Sequence, residues 1–81
     1  MHVIIARVDE ILFEGDAQSL IAPGSAGQLT VLSHHMPLVT TLTEGELIVR
    51  PSSAEGFGEA KKFKIDSGVL EVRHDGATVI L

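Results

Sequence analysis

Apolar and polar residues alternate along much of the chain, and glycine-containing turn signals separate the alternating segments. In Glu46–Arg50, the apolar Leu47 and Val49 share one face of an extended chain and the charged residues share the other. The segments 62–66 and 70–73 repeat this pattern. A period of two residues, with β-branched and aromatic side chains, is typical of half-buried β-strands. The pattern therefore predicts a protein built from β-sheet.

Dipeptides of an acidic residue and glycine mark the predicted turns, because glycine adopts the positive φ angles that tight turns require. The turn signals are Glu14-Gly15, Glu44-Gly45, Glu55-Gly56 and Asp75-Gly76, with Pro23-Gly24 as a fifth. Between them we predict about eight short strands. These strands lie near 2–8, 11–14, 16–22, 28–32, 38–42, 46–51, 60–66 and 68–73, with 76–81 as a ninth.

Helix has little support in this sequence. The best helical segment, 53–62, is interrupted by two glycines and has no apolar stripe. Residues 52–59 are the most linker-like stretch and predict a long hairpin loop. Many short strands with frequent turns are typical of a small antiparallel β-sandwich or barrel. We predict an all-β sandwich that forms one domain over residues 1–81, since a chain of this length is too short for two domains.

Composition narrows the possible partners. The 81 residues include six Lys and Arg against eleven Asp and Glu, for a net charge of −5. The densest basic cluster is Lys61, Lys62 and Lys64, which fits the solvated face of a strand better than a nucleic-acid site. The longest apolar run, Val3–Ala6, is far shorter than the roughly 20 residues of a membrane span, so direct membrane insertion is not expected. A small domain without cysteine often gains stability from a partner.

Catalytic chemistry has little support. The carboxylate pair Glu14 and Asp16 flanks a predicted turn, where we expect both side chains to be solvated. A general acid needs a pKa raised by burial, which such a position does not provide. Ser25 stands in Pro23–Gly27, which lacks the first glycine of a nucleophile elbow and is followed by no predicted helix. We therefore predict no enzyme activity, no catalytic residue and no cofactor.

The segment Ser33–Pro37 carries two adjacent histidines, His34 and His35. In an extended chain their side chains point to opposite faces, so they cannot bind one metal ion without a turn. His2 and His74 would reach them only through the tertiary fold. We predict no metal site, and we favour a contact with the backbone or with a partner protein. Metal or hydrolytic chemistry at this segment is a weaker alternative.

Several short motifs occur in a particular order over nearly the whole chain. They are Leu12-Phe13-Glu14-Gly15, Pro23-Gly24-x-x-Gly27, Leu29-x-Val31-Leu32, His35-x-Pro37-Leu38, Gly45-x-Leu47, Ser67-Gly68-Val69-Leu70-Glu71-Val72 and Thr78-Val79. In this order they resemble the N-terminal domain of the epsilon chain of F-type ATP synthases, which mitochondrial naming calls the delta chain. The resemblance implies a β-sandwich of about ten strands that belongs to the central stalk of the rotor.

The resemblance also implies partners. It indicates a non-catalytic subunit that links the gamma subunit to the membrane c-ring, as a peripheral component on the cytoplasmic face of the membrane. In the family these contacts lie at or near a Gly-Glu-Leu-Gly loop and a Gly-His-Ala-Pro motif. In this chain Gln28 replaces the acidic residue and Thr30 the second glycine, while His34 and Met36 replace Gly and Ala. The predicted contact residues are Gln28, Leu29, His35, Met36 and Leu38.

Many members of the family continue beyond the sandwich with a two-helix hairpin that can inhibit ATP hydrolysis and, in some, bind ATP. The sequence ends at Leu81, so we expect neither inhibition by that hairpin nor ATP binding. A free-standing β-sandwich that binds a small ligand or sugar is the alternative function. The aromatic residues that such a site uses are scarce, since the chain has three Phe and no Trp or Tyr.

Overall fold

The computed structural model describes residues 1–52 and 59–81, and within these ranges the chain forms eight β-strands. They are β1 (His2–Arg7), β2 (Glu10–Gly24), β3 (Gly27–Leu32), β4 (Leu38–Leu42), β5 (Gly45–Pro51), β6 (Lys61–Ile65), β7 (Gly68–Arg73) and β8 (Gly76–Ile80). The predicted loop at 52–59, with its Glu55-Gly56 turn, falls almost entirely outside the described residues. In the described ranges no helix is long and apolar enough to cross a membrane.

Strand β2 corrects one prediction from the sequence. The predicted turn at Glu14-Gly15 is wrong, because both residues lie inside a single strand of 15 residues. Gly15 pairs with Val3, and the antiparallel ladder with β1 continues on both sides of it. This ladder holds the chain extended where the dipeptide alone favours a turn. The turn signals at Pro23-Gly24, Glu44-Gly45 and Asp75-Gly76 do lie at strand ends.

The strands form one continuous sheet that folds over into two layers, and β2 belongs to both. Its first half pairs with β1, and its second half pairs with β3 on one side and β5 on the other. The first layer continues from β1 through β8 and β7 to β4, and the second ends at β6. Of the described pairings, β1 with β8 is parallel, which departs from the all-antiparallel arrangement predicted. The small β-sandwich itself is confirmed.

The two layers enclose a core of buried apolar side chains, as the alternating pattern predicts. Leu47 and Val49 of β5 are fully buried, and Leu70 and Val72 of β7, in the other layer, belong to the same cluster. Burial of each such side chain stabilises the fold by about 1.5–3 kcal/mol. The core therefore holds the two layers together and leaves their outer faces and connecting turns to carry the surface chemistry.

Candidate partner-contact surfaces

Three of the five predicted contact residues line one shallow pocket of about 220 Å³. Gln28 and Leu29 lie in β3 and Leu38 lies at the start of β4, and the turn between β2 and β3 closes the pocket. Close packing at this turn depends on Gly24, because a Cβ atom there would lie 2.7 Å from both the Leu29 side chain and the Gly27 carbonyl oxygen. The fold thus brings these three residues together.

Hydrogen bonds fix the β2–β3 turn to β4, which forms the opposite wall of this pocket. The Ser25 amide donates to the Thr41 carbonyl oxygen at 3.0 Å, and the Ser25 hydroxyl lies 2.7 Å from the Thr41 hydroxyl. The Thr43 amide donates to the Pro23 carbonyl oxygen at 2.9 Å. These contacts give Ser25 a positioning role in the turn.

The other two predicted contact residues lie in the loop that leads into Leu38. His35 is half-buried, and its Nδ1–H donates to the Met36 carbonyl oxygen at 2.8 Å. The His35 amide also donates to the Leu32 carbonyl oxygen at 3.2 Å. With the loop folded in this way, the Met36 side chain is 78% exposed. Met36 therefore offers a flexible apolar side chain to solvent or to a partner.

A second surface, which was not predicted from the sequence, crosses the outer face of the first layer. Ile11 pairs with Ala6, Ala6 with Ile80, and Ile80 with Val69, and paired residues on neighbouring strands point to the same face. We call these four residues the apolar row. Ile11 is 61% exposed, Ile80 50% and Val69 42%. An apolar band across several strands is typical of a face that contacts another protein.

The sequence does contain a signal for the apolar row. Apolar residues occupy both faces of the strands in Val3–Ala6, Val69-Leu70 and Val79-Ile80. A strand that is apolar on both faces indicates burial on both sides. Strand order was needed to place these residues side by side, because the row draws on four strands.

The structure also brings together two histidines that are 40 residues apart in sequence. The Nδ1 atom of His34 lies 3.2 Å from Nε2 of His74. His34 lies in a turn and not in the extended chain expected from the sequence, and its ring contacts His74, which reaches the segment through the tertiary fold. Within the described ranges, no group of three or more His, Asp or Glu side chains is arranged to hold a metal ion.

The carboxylates considered for catalysis form surface pairs. Glu14 Oε2 lies 3.3 Å from His2 Nε2, and Asp16 Oδ1 accepts a hydrogen bond from the Met1 amino group at 3.0 Å. The hydrogen bond and the charge of this amino group hold the pKa of the Asp16 carboxyl below its usual value. Both carboxylates are exposed, as predicted, although they lie on a strand and not beside the predicted turn.

The fold and these surfaces define a small β-sandwich with exposed apolar side chains on one face and hydrogen-bonded turns at its edges. The family described as the delta/epsilon chain of ATP synthase, β-sandwich domain, matches residues 1–81. The chain belongs to this family, and the resemblance predicted from its ordered motifs is confirmed.

Curated relatives carry the same assignment in their names. The ATP synthase epsilon chain 2 of Burkholderia orbicola (strain AU 1054) is 35% identical over 80 residues, which cover 99% of this chain and 51% of the relative. The ATP synthase epsilon chain of Laribacter hongkongensis (strain HLHK9) is 34% identical over 80 residues, covering 99% and 55%. The chain thus spans about half the length of the curated relatives it matches.

Solved structures show the same fold at low sequence identity. A chain of the Euglena gracilis mitochondrial ATP synthase, in a cryo-EM structure of OSCP/F1/c-ring in rotational state 1, gives a TM-score of 0.83 at 20% identity. The match covers 96% of this chain and 48% of that chain. A chain of the Tetrahymena thermophila mitochondrial ATP synthase central stalk and c-ring gives 0.76 at 19% identity, covering 99% and 61%.

Proposed function

We propose that this chain is a non-catalytic subunit of the central stalk of an F-type ATP synthase. It links the gamma subunit to the membrane c-ring, so that rotation coupled to ion translocation reaches the catalytic head. The observation that carries the proposal is the family match over residues 1–81. The chain acts as a peripheral component on the cytoplasmic face of the membrane.

The sheet architecture supports a mechanical role. Strand β2 contributes its first half to one layer and its second half to the other. Movement of one layer against the other would break hydrogen bonds of β2 and disturb the shared core. A sandwich connected in this way resists shear, which suits a part that transmits torque between two partners.

The two surfaces suit two different partners. The apolar row on the outer face suits the gamma subunit, because interfaces between permanently associated subunits are more apolar than transient ones. On β4, Thr41 pairs with Val69, and the 70% exposed Val39 lies on the same face opposite Glu71. The pocket at Gln28, with the polar turn beside it, suits the polar loops of the c-ring. Each surface can then be tested against one partner.

A binding experiment with matched variants tests the gamma contact. The affinity of the purified chain for its cognate gamma subunit is measured by surface plasmon resonance. Ile11→Asp, in the apolar row, should weaken binding at least tenfold, because it buries a carboxylate against an apolar partner. Val8→Asp is the control, since Val8 is also apolar and fully exposed but lies outside the row in the β1–β2 turn. An equal loss of affinity in both variants would show that the apolar row is not part of the gamma interface.

The c-ring contact needs a separate experiment. Binding to detergent-solubilised c-ring is measured for Gln28→Ala and for the double change of His35 and Met36 to alanine. Both should weaken c-ring binding and leave gamma binding within twofold of the parent chain. Unchanged c-ring binding would refute the assignment of these residues to the c-ring contact. If the parent chain bound neither the gamma subunit nor the c-ring, the proposed function as a whole would be refuted.

A further inference from the structure

Two turns from different parts of the sheet present histidines to each other. His34 follows β3 and adopts a left-handed conformation with φ of 65°, which histidine accepts more readily than bulky or β-branched residues do. His74 opens the turn between β7 and β8. Both side chains are exposed, so neither is needed to fill the core.

The two rings meet through their nitrogens. Their centroids lie 4.7 Å apart and their planes are tilted by 49°, so the rings do not stack face to face. A neutral imidazole has one N–H and one nitrogen with a free lone pair. At 3.2 Å, one of the facing nitrogens, His34 Nδ1 or His74 Nε2, donates its N–H to the other. A metal ion would replace this shared proton once the protons move to the outer nitrogens, His34 Nε2 and His74 Nδ1, because both facing nitrogens would then offer lone pairs.

The separation of these nitrogens matches that of two ligands on one zinc ion. Imidazole nitrogens bind zinc at about 2.0–2.1 Å in tetrahedral geometry, which places two of them about 3.3–3.4 Å apart. His34 Nδ1 and His74 Nε2 are 3.2 Å apart. Both side chains are exposed, so a metal ion in solution can reach these two nitrogens.

We propose that His34 and His74 form a two-histidine binding site for a divalent transition-metal cation of the zinc type. Imidazole suits zinc, nickel and copper, whereas magnesium and calcium prefer oxygen ligands. With two protein ligands, the remaining coordination positions are open to water or to a group from another molecule. The site is independent of the proposed stalk function, because it rests only on the side chains of these two turns.

Zinc titration of the 81-residue protein tests this site. Zinc chloride is added in a non-chelating buffer while the imidazole signals of the four histidines are followed by NMR. The signals of His34 and His74 should shift together and saturate at one zinc per chain, while those of His2 and His35 should not shift. Magnesium chloride should produce no change. Lack of saturable binding up to millimolar zinc would overturn the proposal.

Variants that each remove one imidazole identify the ligands by calorimetry. His34→Asn and His74→Ala should each weaken zinc binding at least tenfold; asparagine is used at position 34 because it tolerates the left-handed conformation. His35→Ala and His2→Ala are matched controls and should keep the parent affinity. Parent-like affinity in both test variants would refute the site. Loss of binding in His2→Ala alone would refute it too, by locating the zinc at the amino terminus.

Discussion

Replacing Gly76 by alanine should destabilise the protein, whereas the same change at Gly15 should not. Both glycines follow an acidic residue and lie in strands that pair with β1. A Cβ atom on Gly76 would collide with the backbone carbonyl oxygen of His2. A Cβ atom on Gly15 would meet only ring atoms of Phe13, at 3.6 and 3.9 Å, which is ordinary van der Waals contact.

The size of each stability change depends on whether the added Cβ atom forces the backbone to move. The carbonyl oxygen of His2 belongs to the β1 backbone, so relief of the collision requires β1 to shift away from β8 and disturbs Val3 in the core. Such overpacking costs about 1–3 kcal/mol, which lowers Tm by roughly 5–20 °C in a domain of this size. Gly15→Ala restricts the unfolded chain and should stabilise by about 0.4–1 kcal/mol, which raises Tm by roughly 2–8 °C.

Thermal unfolding followed by circular dichroism measures both effects, and urea unfolding gives the free energies. Amide hydrogen exchange in β1 should become faster in Gly76→Ala and remain unchanged in Gly15→Ala. A Tm for Gly76→Ala within 2 °C of the parent would refute the reasoning. An equal destabilisation by Gly15→Ala would also contradict it, because the free space around each glycine would then not determine the cost of adding a Cβ atom.

Three further changes have defined outcomes. Leu70→Ala should cost about 2–5 kcal/mol in urea unfolding, because Leu70 is fully buried, while Val69→Ala beside it on the exposed face should cost far less. Ser25→Ala removes the hydroxyl contact with Thr41 and should cost about 0.5–1.5 kcal/mol in the same assay. Acetylation of the amino terminus should raise the pKa of Asp16 toward 3.8 in an NMR titration. Since the folded-state pKa is lowered, the pair stabilises above pH 3.8, and the Tm advantage of the free amine should vanish as the pH falls through that lowered pKa.

The strands were predictable because alternation of apolar and polar residues is a local property. Strand β4 was predicted with its observed bounds at 38–42, and β7 with its bounds at 68–73. The failure at Gly15 has a clear cause. An acidic residue followed by glycine favours a turn locally, but pairing with Val3 of β1 keeps this glycine extended. A distant strand outweighed the local preference.

The candidate surfaces were predictable only in part. Ordered motifs indicated Gln28 and Leu29 in one segment and Leu38 in another, and the fold brings the three to one pocket. The apolar row depends on strand order and register, which no single segment encodes. The contact between His34 and His74 joins two turns that are distant in sequence. Features of this kind emerge only from the assembled sheet.

The parallel pairing of β1 with β8 bears on how the protein is made. Residues 76–80 leave the ribosome roughly 4–14 s after β1, at synthesis rates of about 5–20 residues per second. During that interval β1 can pair with β2, but its other edge has unpaired amide and carbonyl groups, which are a template for aggregation. Closure of the sandwich therefore awaits the end of the domain, and a chain interrupted before Gly76 would keep that edge open.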